Sequence, residues 1–359
     1  MKNLRILIKN ILNTLLFLFV INFTIVFSYS LYTSFRSQNN IDSRTRLEVY
    51  LPHTWSSDHF KELGQVKVTY TSYLGYRRLP FKGSTINIDE KGIRNTLNQT
   101  NKKGKVFFYG GSTTWGTGVP DSLTIPSLFN KFSNFNHHVI NYGESGYHSF
   151  QEYLKFLIHI QKDKLSPDIV IFYDGVNEFS FLEKGNHYVY SNPVENRLKK
   201  LYKGQTKTNN LSEYLKSIFL NPLFKVITRL TKKSEVDVKL NINRSESFIK
   251  DVVDNTIQNW ILSKNLAERN NIKPYFILQP NIYTSTYNDK YIPLNKDRDS
   301  VYKKYYTYLK EELKKKNFEY YDLSDIFKNE KDIYIDFCHL TPKGNKIVSK
   351  RIYEIINRL

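Results

Sequence analysis

Cysteine is almost missing from this 359-residue chain, and the single Cys338 excludes any internal disulfide. Acidic residues are also scarce: 34 Asp and Glu stand against 53 Lys and Arg, a formal charge of +19. Such a surplus suits anionic partners, meaning phospholipid headgroups, acidic glycans or nucleic acid, and carries no information about fold. Nucleic acid is the weakest of the three, because no binding motif is present and the lysines are scattered among asparagines instead of lining one helix. The chain lacks the Gly-Lys-Ser/Thr ending of a phosphate-binding loop and the glycine spacing of a dinucleotide fingerprint. His137 and His138 have no carboxylate or cysteine at ligand spacing, so neither a metal nor a cofactor is expected.

Apolar residues are concentrated at the start. Residues 11–32 are almost all apolar, and 22 residues at about 1.5 Å each reach roughly 33 Å, enough to cross a bilayer. Lys2, Arg5 and Lys9 precede this run closely, whereas the first cation after it is Arg36. The charge bias predicts a cytoplasmic N-terminus and an extracytoplasmic remainder, periplasmic or on the cell surface. A cleaved signal peptide is the rival reading. It calls for small residues in an Ala-x-Ala-like pattern, and the run ends instead in Phe27, Ser28, Tyr29, Ser30, Leu31 and Tyr32, which favours an uncleaved anchor.

Three segments follow from these patterns: 1–35 as cytoplasmic tip and transmembrane anchor, 36–104 as stalk and β-rich lead-in, and 105–359 as the main domain. In the lead-in, the alternation over 66–70 and the runs at 74–78, 85–89 and 92–95 predict short strands joined by turns. From 105 onward strands and helices alternate. Strands are predicted at 106–109, 139–142, 169–173, 275–278 and 319–321, and helices at 122–132, 149–161, 247–270, 297–316 and 342–358. Phe248, Val252, Val253, Ile257, Trp260 and Ile261 recur at helical spacing as a core-facing stripe. Five strands with helical crossovers specify an α/β, doubly wound, flavodoxin-like parallel sheet that binds ligands outside the carboxyl ends of its strands. An insertion at about 183–246 breaks the alternation. Its apolar stretch over 211–230, interrupted by Pro222, reads either as short amphipathic helices over the site or on a membrane surface, or as a small core of its own.

Each strand end presents something. The first predicted strand runs into Gly110, Gly111 and Ser112, which places a serine at the mouth of the sheet, with a helix expected only about a dozen residues later. Taken alone, this reads equally as a nucleophile or as a Gly-rich turn. The second is followed by Gly143 and Gly146, whose N–H groups are candidate oxyanion donors, and the third by Asn177, whose amide lies at the same edge. Past the last strand, Asp336 stands three residues before His339, a spacing that lets the carboxylate reach Nδ1–H while Nε2 faces the pocket. Serine, base, orienting carboxylate and fixed donors are the parts an acyl-transfer site needs.

These four stretches resemble, in order, the four sequence blocks of the SGNH/GDSL hydrolase family. Gly110 to Thr113 looks like the Gly-Asp-Ser-Leu block, Asn141 to Gly146 like the glycine block, Gly175 to Glu178 like the Gly-x-Asn-Asp block, and Asp336 to His339 like the last. The resemblance spans roughly 105–359 and implies the three-layer α/β/α SGNH-hydrolase fold. It implies Ser112 as nucleophile, His339 as base, Asp336 as its orienter, and an oxyanion hole made by the Ser112 N–H, Gly146 and Asn177. Gly111 stands where the family has Asp, and Glu178 where it has Asp. Neither transfers a proton, so the departures bear on substrate range more than on catalysis. Gly111, Trp115, His148, Glu178 and Tyr283 are candidate substrate contacts. The implied activity is that of a membrane-anchored, extracytoplasmic serine esterase acting on O-acyl, chiefly acetyl, groups of a surface polysaccharide. The alternatives are an O-acyltransferase with the same triad, a lipase or thioesterase, and a non-catalytic glycan-binding or assembly protein. The expected partners are an acylated glycan or other ester and the membrane, with no nucleic acid.

Overall fold

The computed structural model describes residues 2–39, 42–98, 104–178, 245–285, 292 and 294–357. The predicted insertion, up to residue 244, lies outside the described residues. Two compact units are distinguished. One holds α1 (Lys2–Asn39), a 38-residue helix whose stretch Leu4–Tyr32 is long and apolar enough to cross a membrane.

The other unit begins at Asp42. Its lead-in contains α2 (Ser56–Gln65), an antiparallel hairpin of β1 (Val68–Thr71) and β2 (Gly75–Arg78), and a second hairpin of β3 (Phe81–Lys82) and β4 (Asn87–Ile88). Helix α2 was not expected from the sequence, where the segment reads as a polar stalk; burial of one face through His59 and Phe60 holds it.

The main sheet comprises β5 (Lys105–Gly110), β6 (His138–Asn141), β7 (Ile169–Asp174), β8 (Lys273–Leu278) and β9 (Tyr321–Asp322). All are parallel, in the spatial order β6-β5-β7-β8-β9, the doubly wound arrangement predicted. The apolar runs in β5, β7 and β8 are buried without alternation, as strands covered on both faces must be. Their aromatic rings pack across the sheet: Phe172 stacks on Phe276 at 5.2 Å and on Tyr109 at 5.2 Å. Strand β9 starts two residues later than predicted, since pairing with β8 begins only at Tyr321 opposite Ile277.

Helices cover both faces. These are the one-turn α3 (Ser112–Trp115), α4 (Ile125–Phe132), α5 (Ser149–Gln161), α6 (Glu246–Arg269), α7 (Lys296–Lys315) and α8 (Pro342–Asn357). Helix α6 packs on α5 and α7, and α8 packs on α4. In the α6 stripe Val252, Val253, Ile257 and Trp260 are buried, and Phe248 and Ile261 flank them. Helix α4 starts later than expected because Thr124 is extended and its hydroxyl accepts the Ser127 N–H, capping the helix there. Helix α8 is tied to the start of α4 by Asn345 Nδ2 donating to Leu123 O and Ser349 Oγ to Ile125 O.

Arg94 joins the lead-in to this body. It bridges both to Ile88 and to Asn141 at the exposed side of β6, so it covers part of an otherwise open sheet edge. Its side chain is wholly buried, pairs with Asp121 at 2.8 Å, and donates to the carbonyls of Trp115, Gly116 and Val119. Burial pushes the guanidinium pKa down, yet these four polar contacts hold the charge. Removing one partner of a buried pair strands the other. Arg94→Met is therefore expected to lower the unfolding free energy by about 3–5 kcal/mol, measured by denaturant unfolding, with Asp121→Ala comparably harmful and the double variant less than additive.

Candidate active site

The end of β5 turns directly into α3, so the helical turn begins at Ser112 itself and not about a dozen residues on. Gly110 makes this possible. It has φ +157°, and a Cβ there would lie 2.0 Å from Thr114 Oγ1. A Cβ on Gly111 would lie 2.0 Å from Asn177 Nδ2 and 3.3 Å from Tyr147 O. Gly111 thus lets the strand ends of β5, β6 and β7 converge beside Ser112, and in this chain the Asn177 amide fills the space a side chain at 111 would need. Ser112 is the first residue of α3, where a backbone N–H has no intrahelical acceptor.

The loop before α8 is closed by pairing of Tyr334 with Leu340 and by Ile335 N–H donating to His339 O. Within it Asp336 Oδ1 accepts the backbone N–H groups of Cys338 and His339 at 3.0 and 2.8 Å, and Oδ2 lies 2.6 Å from His339 Nδ1. On the other side of the ring, His339 Nε2 lies 2.7 Å from Ser112 Oγ. Burial would raise the Asp336 carboxyl, but the His339 ring and the two N–H donors outweigh it and hold the group below the usual carboxylate range. An ionised Asp336 must accept, so Nδ1 carries the ring proton and the Nε2 lone pair faces the serine hydroxyl. The Cys338 thiol stands beside the same ring. It is buried 3.8 Å from Nδ1, a nitrogen already committed to Asp336. Asp336, Cys338 and His339 are also the one group of metal-ligand type among the described residues, with donor atoms within 4.8 Å of one another.

The loop after β6 wraps the serine turn. Asn141 Nδ2 donates to Thr114 O and its Oδ1 accepts from Gly143 N–H, while Glu144 N–H donates to Gly110 O. Gly146 sits in the following turn with φ +81°. Asn177 Nδ2 donates to Tyr147 O. Ser112, Gly146, Asn177, Asp336 and His339 are thus gathered at one sheet rim.

The candidate substrate contacts fare differently. Trp115 is wholly buried, with the guanidinium groups of Arg78 and Arg94 at 4.7 and 4.3 Å from its ring, and so presents no face to a sugar. His148 is buried at the start of α5, and burial drives its pKa down to about 3. Tyr283 is buried against Tyr302 and Phe337. Glu178 is buried too: its Oε1 accepts the Ser149 N–H, and it belongs to a set of interior carboxyls with Glu152 and Asp174. These four read as contacts because sequence position, not solvent access, was all that spoke for them. Only Gly111 touches the site, through Asn177. Thr113 Oγ1, which donates to Gln279 Oε1 at 2.7 Å and pins α3 to the end of β8, went unnoticed, since no sequence pattern links positions that distant.

Residues 96–352 match the family model described as GDSL-like Lipase/Acylhydrolase. The chain belongs to the GDSL-like lipase/acylhydrolase family. No curated protein matches it. Several solved structures are similar to the chain at low identity. A putative acylhydrolase from Bacteroides fragilis is 17% identical, covering 74% of this chain and 91% of its own, at a TM-score of 0.40. The acetyl xylan esterase AlAXEase is 15% identical over 70% of this chain and 99% of its own, at 0.39. A carbohydrate acetylesterase family member from Sinorhizobium meliloti is 13% identical over 71% and 98%, at 0.39. As a family member the chain is an ester hydrolase, and its lead-in up to residue 95 lies outside the family's span.

Burial raises the Glu178 carboxyl from 4.5 to about 7. A carboxyl whose folded pKa lies above its unfolded value stabilises most when protonated, and that stability is lost as pH climbs from the unfolded to the folded value. Glu178→Gln keeps an acceptor for Ser149 N–H and removes the titration. Relative to the variant, the wild type is expected to lose up to about 3 kcal/mol between pH 4.5 and pH 7, read from paired denaturant curves.

Proposed function

We propose that Ser112 is the nucleophile of this esterase, His339 its general base, Asp336 the group that orients the base, and the Ser112 N–H, Gly146 and Asn177 the oxyanion hole. The observation that carries this is the pair of short contacts through the His339 ring, 2.7 Å to Ser112 Oγ and 2.6 Å to Asp336 Oδ2. His339 Nε2 takes the hydroxyl proton as Ser112 Oγ attacks the ester carbonyl. The tetrahedral oxygen gathers negative charge, which the donors at the end of β5 and in the loops after β6 and β7 stabilise. Collapse expels the alcohol, which receives the proton from His339, and leaves an acyl-serine. Water, activated by the same ring, then releases the acid.

The reading extends to place and substrate. Lys2, Arg5 and Lys9, in the first turns of the apolar helix and ahead of its apolar run over 11–32, support a membrane anchor with the hydrolase domain outside the cytoplasm. A chain whose overall formal charge is +19, held there, is suited to an acidic, O-acetylated surface polysaccharide. Transfer of the acyl group to a glycan hydroxyl uses the same residues and differs only in the acceptor that reaches the acyl-serine.

The full chain in detergent, assayed with a chromogenic acetyl ester, tests the chemistry. Ser112→Ala and His339→Ala should each lower kcat by at least about 10^4-fold. A Ser112→Ala variant with wild-type turnover sinks the assignment. Asn177→Ala should cost about 10^2 to 10^3-fold in kcat. Gly111→Ala should cost a similar factor, since its methyl displaces the Asn177 amide, and the double variant should lose little more than either alone. Acetate release from O-acetylated acidic polysaccharide, compared with esters of longer acyl chains, tests the substrate.

A further inference from the structure

The lead-in reaches the loop between Tyr142 and Tyr147 at several points. Tyr76 Oη donates to Ser145 O at 2.7 Å, and Tyr147 Oη donates back to Tyr76 O. The two rings meet edge to face at 5.2 Å. Arg78 Nε pairs with Glu144 Oε1 at 2.8 Å, the two side chains being 11% and 2% exposed, and the same oxygen accepts the Ser145 N–H. From the other side Lys155 Nζ donates to Tyr142 O.

The contact at Ser145 O has a particular consequence. The peptide group linking Ser145 to Gly146 is planar and trans, so its C=O and N–H point in opposite directions. Whatever fixes the Ser145 carbonyl therefore fixes the direction of the Gly146 N–H. A hydrogen bond accepted by that carbonyl also polarises the amide and strengthens its N–H as a donor. Gly146 has φ +81° in a turn closed by Tyr147 N–H donating to Glu144 O, and the Tyr76 contact adds a side-chain anchor to the peptide at the centre of that turn.

We propose that Tyr76 is a positioning residue for the oxyanion hole: its hydroxyl, supplied by a lead-in that lies outside the family's span, aims the Gly146 N–H at the developing oxyanion, and the Arg78–Glu144 pair holds the loop in reach. This rests on the assignment of Gly146 to the oxyanion hole given above. Nothing is transferred to or from Tyr76. It acts only through the peptide.

The test uses the full chain in detergent, a chromogenic acetyl ester, and phenylboronic acid as a probe that becomes tetrahedral on the serine. Tyr76→Phe removes only the hydroxyl and keeps the ring against Tyr147. The expected result is a fall in kcat of about tenfold with KM within twofold, a parallel weakening of boronate inhibition, and a melting temperature within a few degrees of wild type. Arg78→Ala should lower kcat similarly, with partial recovery in Arg78→Lys. Tyr73→Phe, at the exposed hairpin tip, serves as the control and should match wild type. Tyr76→Phe with unchanged kcat and boronate affinity overturns the proposal while Ser112→Ala remains inactive. A variant that melts early but turns over normally while folded overturns it as well, making the lead-in a brace only. Wild-type turnover in Ser112→Ala fails the underlying assignment instead and is told apart by that variant alone.

Discussion

A hydrogen bond between Ser112 Oγ and His339 Nε2 joins positions 227 residues apart, and most of the polar structure at this sheet rim is arranged to keep it at 2.7 Å. Loop-closure entropy grows only slowly with length, so sequence separation is a minor obstacle. The real demand is orientation. Parallel strands meet it because all their carboxyl ends emerge on one side. With β5 between β6 and β7, the serine turn is flanked by the Gly146 loop and the Asn177 turn. The His339 loop arrives from the last strand and is held by α8, which packs on α4 and donates into its first turn.

Buried charge is the second organising feature. Arg94, Asp121 and Glu144 lie inside or nearly so, and each is matched by a partner from another segment. Such pairs add little net stability over apolar packing, because desolvation offsets much of the attraction. Their geometry is exacting all the same. Arg94 satisfies three carbonyls around the end of α3, and Arg78 and Arg94 enclose the Trp115 ring. The lead-in thereby supports the serine turn and the loop after β6, although it lies outside the segment that defines the family.

Much of this architecture can be read along the chain. The helix over 149–161 appears within its predicted bounds, and α6, α7 and α8 fall within one residue of theirs, since long apolar periodicity and clear caps leave little choice. Two boundaries moved where a local device outweighed periodicity: Thr124 capped α4 late, and Gly110 with Gly111 let α3 start at the serine. Helix α2 escaped notice because one turn of buried face in a polar stretch carries a faint signal.

By itself the sequence determined the order of strands and helices, the apolar N-terminal helix and the four short blocks at strand ends, because periodicity, length and turn residues are local properties. Tertiary structure alone decided which side chains face solvent and which meet. It placed Trp115, His148, Glu178 and Tyr283 in the interior, and brought Arg78 to Glu144 and Tyr76 to the Ser145 carbonyl. Burial and pairing between distant segments depend on how layers pack, and packing is a property of the whole chain that no single stretch encodes.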